Sequence, residues 1–169
     1  KEGLQMLKRT HSPGLRSLIA CTGVDKDRIG AYHIGFVLGP CMNASGRLDT
    51  AKRTLDLLRA KAGKEADILA GDLKALNDSR KEMTDIAVEQ ARQIVDTTKA
   101  GQDRVLVLYL PGCHESLAGI VAGRIRERYY RPAIILTDAE EGIKGSGRSI
   151  EAYNMYEELS RCKDLLTKF

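Results

Sequence analysis

Tryptophan is missing from these 169 residues, and aromatic residues of all kinds make up only 5%. A chain so poor in rings has few platforms on which bases or sugars could stack. The four cysteines, Cys21, Cys41, Cys113 and Cys162, lie far apart with no C-x-x-C pair, which argues against a zinc knuckle and against a disulfide framework. We expect reduced, mostly buried thiols. The three histidines, His11, His33 and His114, lack metal-ligand spacing, so no metal cage is expected within the chain. No apolar run nears the roughly 18 residues of a membrane span, and the opening KEGLQMLKRTHSPG has no signal-peptide pattern. The expectation is a cytoplasmic protein without a membrane partner. Internal repeats and low-complexity tracts are also missing.

An apolar content of 43% supports a real core, in one medium domain or two small ones. Lys1 stands where a methionine would begin a complete chain, and Phe169 follows a helical pattern with no stop signal, so we expect a piece of something longer. The net charge is +4, but residues 1–63 hold 11 Lys and Arg against 5 Asp and Glu, whereas residues 64–169 hold 16 against 18. The basic excess sits on the amino-terminal side. It reads either as a solvated mixed surface or as a footprint for a polyanion such as nucleic acid.

Ser12-Pro13 predicts an N-cap with proline in the first turn, opening a short helix through Leu15, Leu18 and Ile19 that ends near Thr22-Gly23. Residues 28–41, RIGAYHIGFVLGPC, predict a helix stopping at the Gly39-Pro40 breaker. Asp49 or Thr50 can cap the next helix, expected to end near Ala62-Gly63. From Lys64 to Thr98 the apolar positions follow a 3.6 period from Ala66 through Leu73, Met83, Ile86 and Ala87 to Val95, with no proline. A connector helix of ~35 residues is expected. After Gly101 the period changes. VLVLYL (105–110) and PAIILT (132–137) read as buried strands flanking an amphipathic helix, Leu117 to Tyr130, in a βαβ unit. GIKGSGRSI is expected as an antiparallel strand or strand-like loop, and Asn154 to Phe169 as helix with Met155, Leu159, Leu165 and Leu166 inward. The fold class is α/β.

The stretch GIKGSGRS (142–149) imitates the phosphate-cradling G-x-x-x-x-G-K-[ST] loop, with Arg148 in the lysine position. Its context is wrong for that motif, because such a loop opens a helix directly and here the next N-cap is Asn154. A simpler use of the same chemistry remains: Arg148 clamps a phosphate, Ser146 donates a hydroxyl and Lys144 adds charge. The alternative is a glycine-rich hairpin with exposed basic residues. A second stretch, GPCMNASGRLDTA (39–51), sets Asn43 and Arg47, both donors to phosphate oxygens, among glycines and a proline.

Together, IGFVLGPCMNASGRLDTA, HESLAGIVAGRIRERYYRPAIIL and KGSGRSI resemble the single-strand-specific 5′ to 3′ exonuclease branch of the DHH phosphoesterase family, over roughly residues 12–169. The first run is similar to the end of that family's catalytic lobe, the others to its nucleic-acid-binding subdomain, DHHA1. The resemblance implies two α/β lobes about a cleft, single-stranded DNA as the partner, and Mn2+ or Mg2+ held by aspartates and histidines upstream of Lys1, with none bound by this chain. It also implies a helicase or single-strand-binding protein as partners in DNA repair and recombination. On this reading residues 1–62 close the catalytic lobe, 63–99 form the connector helix and 100–169 the DHHA1-like subdomain, continuing into a Gly-Gly-His run beyond Phe169. Cys41 departs from the family, where many relatives carry a basic residue.

By the same resemblance Asn43 and Arg47 would face the scissile or terminal phosphate, while Ser146, Arg148 and Lys144 would hold the 5′ end. His114 would point to the same cleft, or else cap or pack a helix. Arg124, Arg128 and Arg131 share one helical face at i, i+4 and i+7 and could track phosphates, Arg124 most of all, or simply be solvated. Two other functions fit the residues: a DHH phosphodiesterase for oligonucleotides or cyclic dinucleotides, and a noncatalytic nucleic-acid-binding module.

Overall fold

A computed structural model of the chain describes residues 2–168. A helix not expected from the sequence, α1 (Glu2–Lys8), comes first. Next is α2 (Pro13–Cys21), capped as predicted by the Ser12 side chain, which accepts from the Leu15 N–H. Helical structure then runs without interruption through α3 (Ala31–His33), a π-helical segment (Ile34–Leu38) and α4 (Gly39–Leu48). The expected stop at Gly39-Pro40 is therefore corrected. Proline lacks an N–H, and the wide turn before it absorbs that loss, because the Gly39 N–H bonds back to the Ile34 carbonyl. A Cβ at Gly39 would lie 2.7 Å from that oxygen, so only glycine fits the turn without displacement.

This continuity also moves Asn43 and Arg47 from a turn onto a helix. Asp49 ends α4 instead of capping the next helix, and its carboxylate pairs with Arg53. Thr50 Oγ1 accepts from the Lys52 N–H at 3.0 Å, just ahead of α5 (Lys52–Arg59). That helix ends before the predicted Ala62-Gly63. The long helix α6 (Gly63–Thr97) agrees with its expected span to within one residue at each end. Its buried positions include Ala66, Ala70, Leu73, Asn77, Thr84, Ala87, Ala91 and Val95. Ile86, expected on that stripe, is 53% exposed. The polar residues Asn77 and Thr84 occupy the stripe instead. Asn77 is satisfied by the Arg80 guanidinium, whose Nη2 donates to Oδ1 at 3.1 Å.

Two compact units divide between Lys81 and Glu82, within α6. The amino-terminal unit has a core of Leu18, Leu38, Cys41, Leu57, Ala70 and Leu73 among others. Leu57 is fully buried there. In the carboxy-terminal unit, α7 (Glu115–Tyr129) crosses between the parallel strands β1 (Leu106–Tyr109) and β2 (Ala133–Ala139), giving the predicted βαβ unit. β3 (Gly142–Arg148) pairs antiparallel to β2, so the order is β1-β2-β3. Leu106, Leu108, Ala133 and Ile135 form the core with Leu117, Val121 and Ile125 of α7.

Two further expectations are corrected. α8 (Met155–Ser160) buries Met155 as predicted, but helix ends there and a 3-10 turn follows, leaving Leu165 86% exposed. Arg131 is not on the face of α7: Tyr130 takes the left-handed conformation, the helix stops, and Arg131 Nη1 donates to the carbonyls of Gly101 (2.7 Å) and Asp103 (3.0 Å). All four cysteines are free thiols, with Cys41 and Cys113 buried and Cys21 and Cys162 half-buried. No described helix is long and apolar enough to cross a membrane.

Truncating Leu57 removes a fully buried side chain between α2 and α5. Leu57→Ala is expected to cost about 2–5 kcal/mol in chemical denaturation, the range of such cavities. A loss under 1 kcal/mol would mean this core is not the one described.

Candidate phosphate-binding site

Alternation along β3 puts Lys144, Ser146 and Arg148 on the face turned to α7 and Ile143, Gly145 and Gly147 on the other. Each of the three polar residues meets a matching position on the helix. Lys144 Nζ donates to Glu115 Oε2 at 2.8 Å. A Cβ on Gly119 would lie 2.8 Å from Ser146 Oγ and 2.7 Å from Arg148 Nη2, so both side chains occupy the space that any other residue would fill. Arg148 Cγ passes 3.9 Å from where a Cβ of Gly123 would stand. Glu115, Gly119 and Gly123 recur at i, i+4 and i+8, which is one stripe of a helix.

A cavity of about 310 Å³ opens beside this ladder, lined by Glu115, Ser116, Thr137, Lys144, Gly145 and Ser146 among others. Thr137 is buried and its hydroxyl is committed, donating to the Cys113 carbonyl. Ser146's hydroxyl has no hydrogen-bond partner among the described residues. Arg148 spends one nitrogen on the Gly147 carbonyl at 2.7 Å and remains exposed. The arrangement presents donors and positive charge at the edge strand of the sheet. It suits an oxyanion.

The other sequence-predicted residues lie in different surroundings. His114 caps α7, its Nδ1 accepting from the Ser116 N–H at 3.3 Å and meeting Ser116 Oγ at 2.8 Å. It adjoins the cavity through Glu115 and Ser116. Arg124, on α7, is paired with Asp85 of α6. Asn43 and Arg47 are both exposed on α4, one turn apart, while Cys41, Ala44 and Ser45 face inward. Ser45 Oγ, 2.9 Å from Thr54 Oγ1, ties that helix to α5. Glu115, Ser116, Thr137 and Gly119 were missed by sequence reasoning. The glycine spacing at 119 and 123 was a readable sign of close approach; Glu115, 29 residues from Lys144, carried none.

The Lys144 ammonium holds the Glu115 carboxyl below the usual carboxylate range, and Glu115 in turn raises Lys144. A depressed carboxyl contributes above its unfolded pKa, and that contribution is lost as pH falls through the folded value. Followed by carboxyl-carbon NMR, Glu115 is therefore expected to titrate below the ordinary value of about 4.3. Lys144→Met should return it there; an unchanged titration would show that the pair does not form in solution.

No protein-family profile matches the chain. The single-stranded-DNA-specific exonuclease RecJ of Bacillus subtilis is 38% identical over 99% of this chain and 21% of its own length. The protein of that name from Escherichia coli is 37% identical over 90% of this chain and 27% of its own. Crystal structures of RecJ from Thermus thermophilus in complex with Mg2+ and with Mn2+ superpose with a TM-score of 0.83 at 30% identity, covering 99% of this chain. The chain spans about a fifth to a quarter of the length of these relatives. Over nearly its whole length this chain matches, in sequence and in fold, a part of the RecJ proteins.

Proposed function

We propose that this chain supplies the phosphate- and strand-binding part of a metal-dependent exonuclease that hydrolyses single-stranded DNA from its 5′ end, with Ser146 and Arg148 on the 5′-terminal phosphate. The observation that carries the reading is the shared placement of the uncommitted Ser146 hydroxyl and the exposed Arg148 guanidinium over Gly119. A guanidinium gives two parallel charged hydrogen bonds to a phosphate, and a hydroxyl beside it adds a third. Lys144 contributes less, because Glu115 already offsets its charge. His114 orients the start of α7 next to the same cavity. Asn43 and Arg47, presented outward by α4, are assigned to the scissile or terminal phosphate. Arg124 joins them only by exchanging Asp85 for a phosphate.

Relatives named single-stranded-DNA-specific exonucleases support the substrate, and the Mg2+ and Mn2+ complexes of the Thermus protein support a divalent cation. Among the described residues no group of three or more His, Cys, Asp or Glu could hold such an ion. The residues present do not fit the metal, and no hydrolytic step is derived from them. Stabilising and positioning the phosphates is the part these side chains can perform. By the same kinship we place the enzyme in the cytoplasm, in DNA repair and recombination, with a helicase or a single-strand-binding protein as partners and with the DHH and DHHA1 organisation expected above.

Arg148→Ala tests the assignment. Loss of a charged hydrogen bond is expected to weaken binding of a 5′-phosphorylated strand by about 1.5–3 kcal/mol, roughly 10- to 100-fold, in equilibrium titration of this chain. Binding of the 5′-hydroxyl strand should scarcely change. Equal preference for the 5′-phosphate in variant and parent would remove Arg148 from the terminus.

A further inference from the structure

A minority of the lysines and arginines of this chain meet a carboxylate. From Asp49 onward Arg53, Lys74, Lys81, Arg92, Arg124, Lys144 and Arg161 each meet a carboxylate. Before Asp49 Arg28 does so too, with Asp25. Lys8, Arg9, Arg16 and Lys26 have no carboxylate partner among the described residues, and all four line one cavity of about 750 Å³ together with His11. Asp27 is the single acidic residue in that lining. Lys8 is fixed there by a hydrogen bond to the Asp27 backbone carbonyl at 2.8 Å, which holds the ammonium in place without neutralising it.

Four cations around one concavity repel each other, and low-dielectric walls focus their field into the space between them. An anion relieves that repulsion. The walls supply the low dielectric: Ile19 is buried, and Leu7 and Val24 are half-buried in the lining. A volume of about 750 Å³ is far more than one phosphate occupies and lies within the range of ligand-sized sites, roughly 300–1,000 Å³. Apolar walls and a cationic rim suit a segment of single-stranded nucleic acid, whose phosphates would meet the rim while sugar and base cover the walls. No Phe, Tyr or Trp is in the lining, so stacking plays little part and sequence preference is small.

We propose that this basic cavity, between α1, α2 and the turn at Lys26–Arg28, is a second nucleic-acid subsite that grips internal phosphodiesters of a single strand. It rests on the nuclease reading but not on the terminal-phosphate site. The two are separable because internal phosphodiesters are present whatever the chemistry of the 5′ end.

Arg9 and Arg16 are exposed, so a double Arg9→Gln, Arg16→Gln variant should keep the fold, checked by circular dichroism and thermal melting. Binding of a 5′-hydroxyl and a 5′-phosphorylated dodecathymidylate to this chain is measured against salt. Removing two phosphate contacts should lower the slope of log K against log salt by about 1.4, at roughly 0.7 per contact with a single strand. The loss should be equal for both strands. Independently, the 5′-hydroxyl strand should protect Lys8 and Lys26 of the parent chain from acetylation. Unchanged slope in the folded variant, or protection by inorganic tripolyphosphate but not by the strand, would overturn the proposal. If Arg148→Ala leaves the 5′-phosphate preference intact while the double variant lowers the slope, the terminal-phosphate assignment fails and this one stands.

Discussion

The carboxy-terminal unit depends on how near α7 lies to the edge strand of its sheet. Gly119 has no side chain, and the volume a Cβ would take is already held by Ser146 and Arg148. Burial of Leu117, Val121 and Ile125 against Leu106, Leu108 and Ile135 draws the helix onto the strands. Small residues on the adjoining stripe then decide what stands at the edge of that contact. At Gly119 and Gly123 the gap admits a serine and a planar guanidinium, and at Glu115 it closes with an ion pair to Lys144. One hydrophobic packing event thus sets three polar residues in a row, with the register of β3 on β2 fixing which three they are.

The two cationic members of that row differ in availability. Lys144 has spent its charge on Glu115, an exposed pair whose worth to stability is small but which leaves little field for a ligand. Arg148 has a backbone carbonyl as its partner, which accepts one N–H without cancelling the charge. A guanidinium can do both at once, since its five donors point in fixed directions and one bond leaves the rest free. Arginine at 148 is therefore the stronger anion contact, and lysine there would have to choose between the carbonyl and the ligand.

Legibility in the sequence followed the range of the interactions involved. The long helix was read to within a residue at each end, because a 3.6 period over 35 residues is a local signal repeated many times. The βαβ unit was read from a change of period; the third element, expected as an antiparallel strand or strand-like loop, is a strand, and glycine spacing singled out Ser146 and Arg148 upon it. Gly39-Pro40 misled, because a proline usually ends a helix and only the carbonyl of Ile34, five residues back, turns it into a π segment. Leu165 and Leu166 misled for the opposite reason: an apolar period was extended past Ser160, where helix ends. Arg131 fell on a helical face only so long as Tyr130 was taken as right-handed. Glu115 opposite Lys144, and Asp85 opposite Arg124, were beyond reading, since both pairs bridge residues 29 and 39 apart that only the tertiary fold brings together.

Charge pairing separates the surfaces of this chain more sharply than net charge does. A lysine or arginine with a carboxylate beside it presents a local dipole, and its attraction for a phosphate dies within a few ångströms of screened solvent. The long helix carries such pairs at Lys74, Lys81 and Arg92, and the sheet unit at Arg124, Lys144 and Arg161. Lys8, Arg9, Arg16, Lys26 and Arg148 have no carboxylate partner among the described residues. An extended polyanion would sense the unpaired groups and pass over the paired ones, although both kinds count equally in the formal charge of +4. Cations without a carboxylate gather around the amino-terminal cavity and stand again at Arg148, the two places proposed above to hold a nucleic-acid backbone without reading its sequence.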